Sequence, residues 1–194
     1  MTTILLARHG ETDWNRDDRF QGHADPPLNA VGRKQARVLA DALAGEPLAA
    51  VYTSPLRRAA ETAEIVAAPH GLRAEPVEGL REVDVGSWEG LTRADLEQRY
   101  PERFRRWLVE HEQGWEDGET YAEMGRRVVP ALLALAERHD GGRILTVTHG
   151  GPIRAAIAAA AGITHAEARR RGPVLGNCFV CGFAIEDGVF RQVD

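Results

Sequence analysis

Ile4-Leu5-Leu6-Ala7-Arg8-His9-Gly10 is the stretch on which the reading of the fold turns. An unbroken apolar run of this length suits a strand buried on both faces of a largely parallel sheet, and the polar tripeptide then marks its carboxyl end. The same grammar recurs twice. Leu48 to Thr53 runs into Ser54-Pro55-Leu56-Arg57-Arg58, and Ile144 to Thr148 runs into His149-Gly150-Gly151. A helical stretch follows each, so strands and helices alternate as in a layered α/β fold. Ser54 is expected as an N-cap with Pro55 at the first helical position.

Outward from these units, Val31, Gln35, Val38, Leu39, Ala42 and Leu43 keep mostly helical spacing, and Gly45 stops that helix. Thr120-Tyr121-Ala122-Glu123 is a capping box opening a long helix with Tyr121, Met124, Val128, Leu132 and Leu135 on one stripe. Pro130 removes a hydrogen bond from it and predicts a kink near Arg126. Thr164-His165-Ala166-Glu167 is a second capping box, and Asp187-Gly188 reads as a hairpin turn that closes the sheet with antiparallel strands. The charged section from about Val85 to Gly118 holds Trp88, Trp107 and Trp115 and reads as a helical excursion over one end of the sheet. Neither repeat nor linker divides the chain, and 194 residues suit a single domain over 1–194.

Composition excludes several classes. The longest run without Asp, Glu, Lys or Arg is Gly172 to Ile185, fourteen residues, too short to span a bilayer. The N-terminus meets Arg8 and His9 with neither a basic leader nor a long apolar segment, which reads as a first strand and a cytoplasmic protein with no membrane partner. A net charge of −5 argues against nucleic acid as a partner. Lys34 is the only lysine among twenty-four basic residues, so any convergent cations are planar forks suited to phosphate or carboxylate. Cys178 and Cys181 form a lone C-x-x-C within Asn177 to Ile185, which reads as one strand; residues three apart there point to opposite faces, which favours core packing over a metal or redox pair.

In open α/β sheets ligands bind outside the carboxyl ends of the strands, and the three units deliver Arg8, His9, Arg58 and His149 to that edge. Any one of the four alone reads more naturally as structural. Their shared position, with the backbone N–H groups of Gly10 and Gly150-Gly151 near helix starts, points to a phosphate site. No His-Glu-x-x-His, P-loop or Gly-x-Ser-x-Gly is present, so metal and serine-hydrolase chemistry are not expected.

Arg8-His9-Gly10-Glu11-Thr12, Ser54-Pro55-Leu56-Arg57-Arg58-Ala59 through Glu61-Thr62-Ala63, Leu80 to Gly90 and Thr148-His149-Gly150-Gly151 together resemble the histidine phosphatase superfamily, phosphoglycerate mutase-like branch. The resemblance implies a three-layer α/β/α sandwich whose mostly parallel central sheet has an antiparallel edge. It also implies catalysis through a phosphohistidine, with no metal and no cofactor. His9 is then the nucleophile, expected at the mouth of the site, and Arg8, Arg58 and His149 hold the phosphoryl oxygens. Glu82 matches the general acid, which must keep its proton near neutrality in a partly buried setting beside Trp88. Asn15, Gln21, Gly22 and Gly150 match secondary phosphate or substrate contacts, while His23, His70, His111, His139 and His165 read as surface residues.

The mutases of this branch carry His-Gly-Asn after the last core strand and a lysine-bearing segment near the glutamate. Here the tripeptide is His149-Gly150-Gly151, and no lysine follows Lys34. Those departures favour hydrolysis over phosphoryl transfer between two positions of one acid. A non-catalytic phospholigand-binding module is disfavoured because all five chemical positions are intact. A phosphoprotein substrate is disfavoured because the excursion would roof the site, leaving a small phosphomonoester. Trp88, Trp107, Trp115, Arg103, Arg105 and Arg106 are candidates for a leaving-group pocket, although packing is the preferred role for the tryptophans. The hairpin edge at Val189 to Val193 leaves a homodimer open.

Overall fold

Residues of the central strands alternate between two apolar layers, and the sheet is covered on both faces accordingly. Ile4, Leu6, Tyr52 and Ile144 enter one core, whereas Ala7, Val51, Leu145 and Val147 enter the other. The structure is a computed structural model and describes residues 1–193. Its elements in chain order are β1 (Thr2–Arg8), α1 (Asp13–Arg16), α2 (Ala30–Leu43), β2 (Leu48–Thr53), α3 (Arg57–Ala67), β3 (Ala74–Pro76), α4 (Arg93–Arg99), α5 (Pro101–Arg105), α6 (Tyr121–Arg138), β4 (Arg143–Thr148), α7 (Gly150–Ala161), α8 (His165–Arg171), β5 (Val180–Glu186) and β6 (Val189–Val193). The sheet order is β3-β2-β4-β1-β5-β6, parallel from β3 to β1 and antiparallel at β5 and β6. Helices α2 and α3 pack on one face and α6 and α7 on the other, which makes the three-layer α/β/α sandwich.

Local signals hold where they are self-contained. The capping boxes at Thr120 and Thr164 are formed, and Met124, Val128, Leu132 and Leu135 are buried along α6. Asp187 and Gly188 both take positive φ, as a tight hairpin between β5 and β6 requires. Helix α6 continues past Pro130 to Arg138. From Gly86 to Glu110 the chain does form short helical pieces: a 3-10 turn, α4, α5 and a π-turn at Arg106–Glu110.

Three expectations need correction. Helix α3 starts at Arg57 with Leu56 at its N-cap, so Ser54 lies too early to cap it; its hydroxyl accepts from Leu56 N–H at 3.3 Å and keeps room for a second partner. On α2 the buried face is Gly32, Ala36, Leu39 and Ala40, while Val31 and Val38 are exposed. The reason is close packing: α2 lies against the alanine-rich face of α3, Ala59 and Ala63, with three small residues and Leu39 turned inward and the two valines outside the contact. Strand β5 begins only at Val180, and Cys178 sits in a turn at φ 56°. The two cysteines nevertheless pack against different cores, Cys178 beside the α2–α3 layer and Cys181 beside the α6–α7 layer.

Candidate active site

The site is assembled by backbone hydrogen bonds between strand ends. His9 N–H donates to Thr148 O at 3.0 Å and Ser54 N–H to Val147 O at 2.9 Å, so β1, β4 and β2 deliver their carboxyl termini side by side. Thr62 of α3 ties in the next turn, accepting from Gly10 N–H at 3.0 Å and donating to Arg58 O at 2.7 Å. The His9 and His149 rings end 5.1 Å apart.

Neither histidine is at the mouth. His9 is 3% exposed and His149 is fully buried behind it. His9 Nδ1 lies 2.7 Å from Gly10 O; a carbonyl only accepts, so Nδ1 carries the proton and Nε2 keeps its lone pair. Burial first, then the charges of Arg58 and Arg8, push His9 well below the ordinary histidine value. Burial, with Arg58 next, does the same to His149, so both rings are neutral at pH 7. The hydroxyl that Ser54 does not spend on capping meets His149 Nε2 at 2.7 Å, and His149 Nδ1 is buried with no partner.

The two arginines are held by carbonyls. Fully buried Arg58 donates to Ala24 O at 2.7 Å and to Gly22 O at 2.9 Å, and burial pushes its pKa down to about 10, still cationic at neutrality. Arg8 donates to Leu175 O at 2.5 Å. In both, Nε is buried without a partner. Two guanidinium groups with unsatisfied donors, beside a His149 ring that packs on His9 and keeps one nitrogen unsatisfied, suit an oxyanion.

A cavity of about 350 Å³ opens over these groups, with Arg8, His9, Arg58 and Glu82 on its wall. Asn15, Gln21, Gly22 and Gly150 line it too. The carboxylate of Glu82 is fixed by backbone donors, Val83 N–H at 2.9 Å and Gly151 N–H at 3.1 Å. Its main-chain carbonyl accepts from Arg127 at 2.7 Å and from the His23 ring at 2.8 Å. A Cβ at Gly151 would strike the Glu82 carboxylate, so glycine there makes room for it. Trp88 lies off the cavity wall, packed edge-on against Phe20, Trp107 and Trp115.

The secondary contacts divide. Asn15 Oδ1 is taken by Thr12 and Asn177, and Gln21 Oε1 by Thr12. Gly22 turns the chain at φ 50° and gives its carbonyl to Arg58. Gly150 opens α7.

Other wall residues were not legible. Trp107 and Trp115 line the cavity as candidates, but Arg103, Arg105 and Arg106 do not: Arg103 pairs with Glu116 and Arg105 with Glu110. In their place stand Arg93, Arg154 and Arg169, with Tyr121 and His165. His165, expected on the surface, stacks on Tyr121 with centroids 3.9 Å apart, and burial, with Arg154 next, pushes its pKa down to about 4. His139 is likewise engaged, 2.7 Å from the Tyr52 hydroxyl. None of the five histidines read as surface residues is fully exposed. One signal was available: Arg154 lies three residues after Gly151 on α7, hence on the face that looks into the site.

Among the described residues no three His, Cys, Asp or Glu side chains converge as a metal site needs, and no helix is long and apolar enough to cross a membrane. Residues 4–194 match the sequence profile of the histidine phosphatase superfamily (branch 1). The chain is 37% identical over 164 residues to phosphoserine phosphatase 1 of Hydrogenobacter thermophilus, covering 84% of this chain and 78% of that protein. It is 36% identical over 183 residues to a probable phosphoglycerate mutase, GpmB, of Yersinia enterocolitica, covering 92% and 82%. Among solved structures it superposes on Bacillus stearothermophilus YhfR with a TM-score of 0.90 and 34% identity, covering 99% of this chain and 95% of that one.

Proposed function

The chain belongs to the histidine phosphatase superfamily (branch 1) and is a phosphatase of it, and from that premise we propose that it hydrolyses a small phosphomonoester in two displacements through a phosphohistidine at His9, without metal or cofactor. The observation that carries the reading is the state of His9: a buried neutral imidazole whose free Nε2 shares a cavity with two guanidinium groups.

In the first displacement His9 Nε2 attacks phosphorus in line, the P–O bond to the leaving group breaks, and Glu82 gives its proton to the departing alkoxide. Arg8, Arg58 and His149 Nδ1 hold the equatorial oxygens and gain strength as charge shifts onto them. In the second, Glu82 takes a proton from water as that water attacks phosphorus, the P–N bond breaks, and orthophosphate leaves with His9 neutral again. Hydrolysis is preferred to mutase-type transfer on the residues at the site: Gly151 stands where the mutases carry asparagine, and the cavity wall bears no lysine.

The test is phosphate release from a panel of small phosphomonoesters with a strong chelator present. Release is expected to survive chelation and to proceed in steady turnover. Loss on chelation, or transfer between the two positions of a phosphoglycerate as fast as hydrolysis, would contradict the reading.

A further inference from the structure

We infer that the leaving group carries a second anion, a carboxylate or a phosphate, bound by Arg154 and Arg169 in the part of the cavity walled by α6, α7 and α8. The inference rests on the phosphatase reading above and deepens it to a substrate class.

Charge balance is the first ground. The cavity wall carries six arginines but only two carboxylates, Glu82 and Asp18. Asp18 pairs with Arg93 at 3.6 Å on the exposed rim, and Glu82 is engaged by backbone N–H groups. One phosphoryl group accounts for Arg8 and Arg58. Arg19 spends a donor on Gly90 O at 2.7 Å at the exposed rim, which leaves Arg154 and Arg169, neither of them in an ion pair among the described residues.

Unsatisfied donors are the second ground. Arg154 makes only long contacts, 3.3 Å to Ala168 O and 3.5 Å to Pro173 O. The Arg169 guanidinium lies 3.8 Å over the Trp107 ring, which occupies its face, and its Nη1 is buried with no partner. Between them His165, clamped flat on Tyr121, has both ring nitrogens buried without a partner. A strut joining α8 to the Trp107 segment would explain the stacking. It would not explain why a second desolvated guanidinium, Arg154, converges on the same cavity. Burial is the main cause lowering the pKa of both guanidinium groups, with the charge of Arg8 adding to it at Arg154 and that of Arg154 at Arg169, a load that a bound anion relieves. Planar forks on a stacked platform suit bidentate capture of carboxylate or phosphate.

Three esters with the same three-carbon frame separate the alternatives: glycerol 3-phosphate ends in a hydroxymethyl group, 3-phosphoglycerate in a carboxylate, glycerol 1,3-bisphosphate in a second phosphate. The kcat/KM of at least one of the two esters that carry a second anion is expected to exceed that of glycerol 3-phosphate by about tenfold or more, the worth of one charge-assisted hydrogen bond. Which ester wins identifies the anion. Arg154→Gln and Arg169→Gln should each shrink that ratio, and the double variant should bring it near one, whereas Arg169→Lys should keep part of it. A wild-type ratio near one, or a ratio that survives the double substitution, overturns the inference, and the wild-type comparison needs no variant to fold. 4-Nitrophenyl phosphate separates the two readings. Its hydrolysis without any anion preference sinks the second anion alone, and no hydrolysis of it or of the three esters sinks the phosphatase reading together with this inference.

Discussion

His9 is surrounded by groups that would repel a proton and by none that would stabilise one, apart from the carbonyl of Gly10. That environment makes it a nucleophile by subtraction: the imidazole is neutral, its tautomer is set, and the cations that suppress its protonation are those that bind the oxyanion it attacks. Glu82 is placed by complementary means, on the N–H groups of Val83 and Gly151. Glutamine can accept the same hydrogen bonds, so Glu82→Gln removes the transferable proton while leaving the geometry. The variant is expected to lose about 10²- to 10⁴-fold in kcat/KM on alkyl phosphates, the usual worth of a general acid, and far less on 4-nitrophenyl phosphate, whose leaving group scarcely needs a proton. Equal losses on both would assign Glu82 a purely structural part.

At the scale of elements, what was legible in the sequence is what local chemistry decides. A strand apolar on both faces announces itself without its neighbours, as β1, β2 and β4 do, and a capping box needs only four residues, as at Thr120 and Thr164. Because β1 and β4 run directly into Arg8-His9 and His149, and Arg58 follows β2 by five residues at the start of α3, the centre of the site could be read from the carboxyl ends of the strands. What tertiary contact decides was not legible. Ser54 looks like a cap in isolation, yet His149 claims its hydroxyl from 95 residues away. Val31 and Val38 look like a core stripe until α3 presents its alanine face to Gly32, Ala36, Leu39 and Ala40 of α2 and leaves the two valines outside. Arg154 and Arg169 resemble the surrounding surface arginines, and only the packing of α8 against α6 and α7 sets them around one cavity with His165 and Tyr121.

For the whole molecule, the buried histidines couple stability to acidity. His9 and His149 stay unprotonated in the fold well below the pH at which unfolded histidine, near 6.5, takes up a proton. Their folded values are depressed, so their contribution is complete above about pH 6.5 and is lost as pH falls, by about 1.4 kcal/mol per pH unit for each ring. Resistance to urea unfolding is therefore expected to weaken steadily between pH 6.5 and pH 5, before most carboxylates titrate, and a flat profile across that window would mean that these rings are protonated in the native state. Stability of this kind is spent on function, since the same burial keeps Nε2 of His9 reactive in the range where the fold holds.

The most direct measurement is acid-free rapid quenching of the enzyme during turnover of a ³²P-labelled phosphomonoester, followed by peptide mapping. Label that is stable in base and labile in acid, confined to the peptide containing His9 and absent from His9→Ala, is the predicted result. Full turnover with no covalent label, or label on any other residue, would contradict the phosphohistidine account.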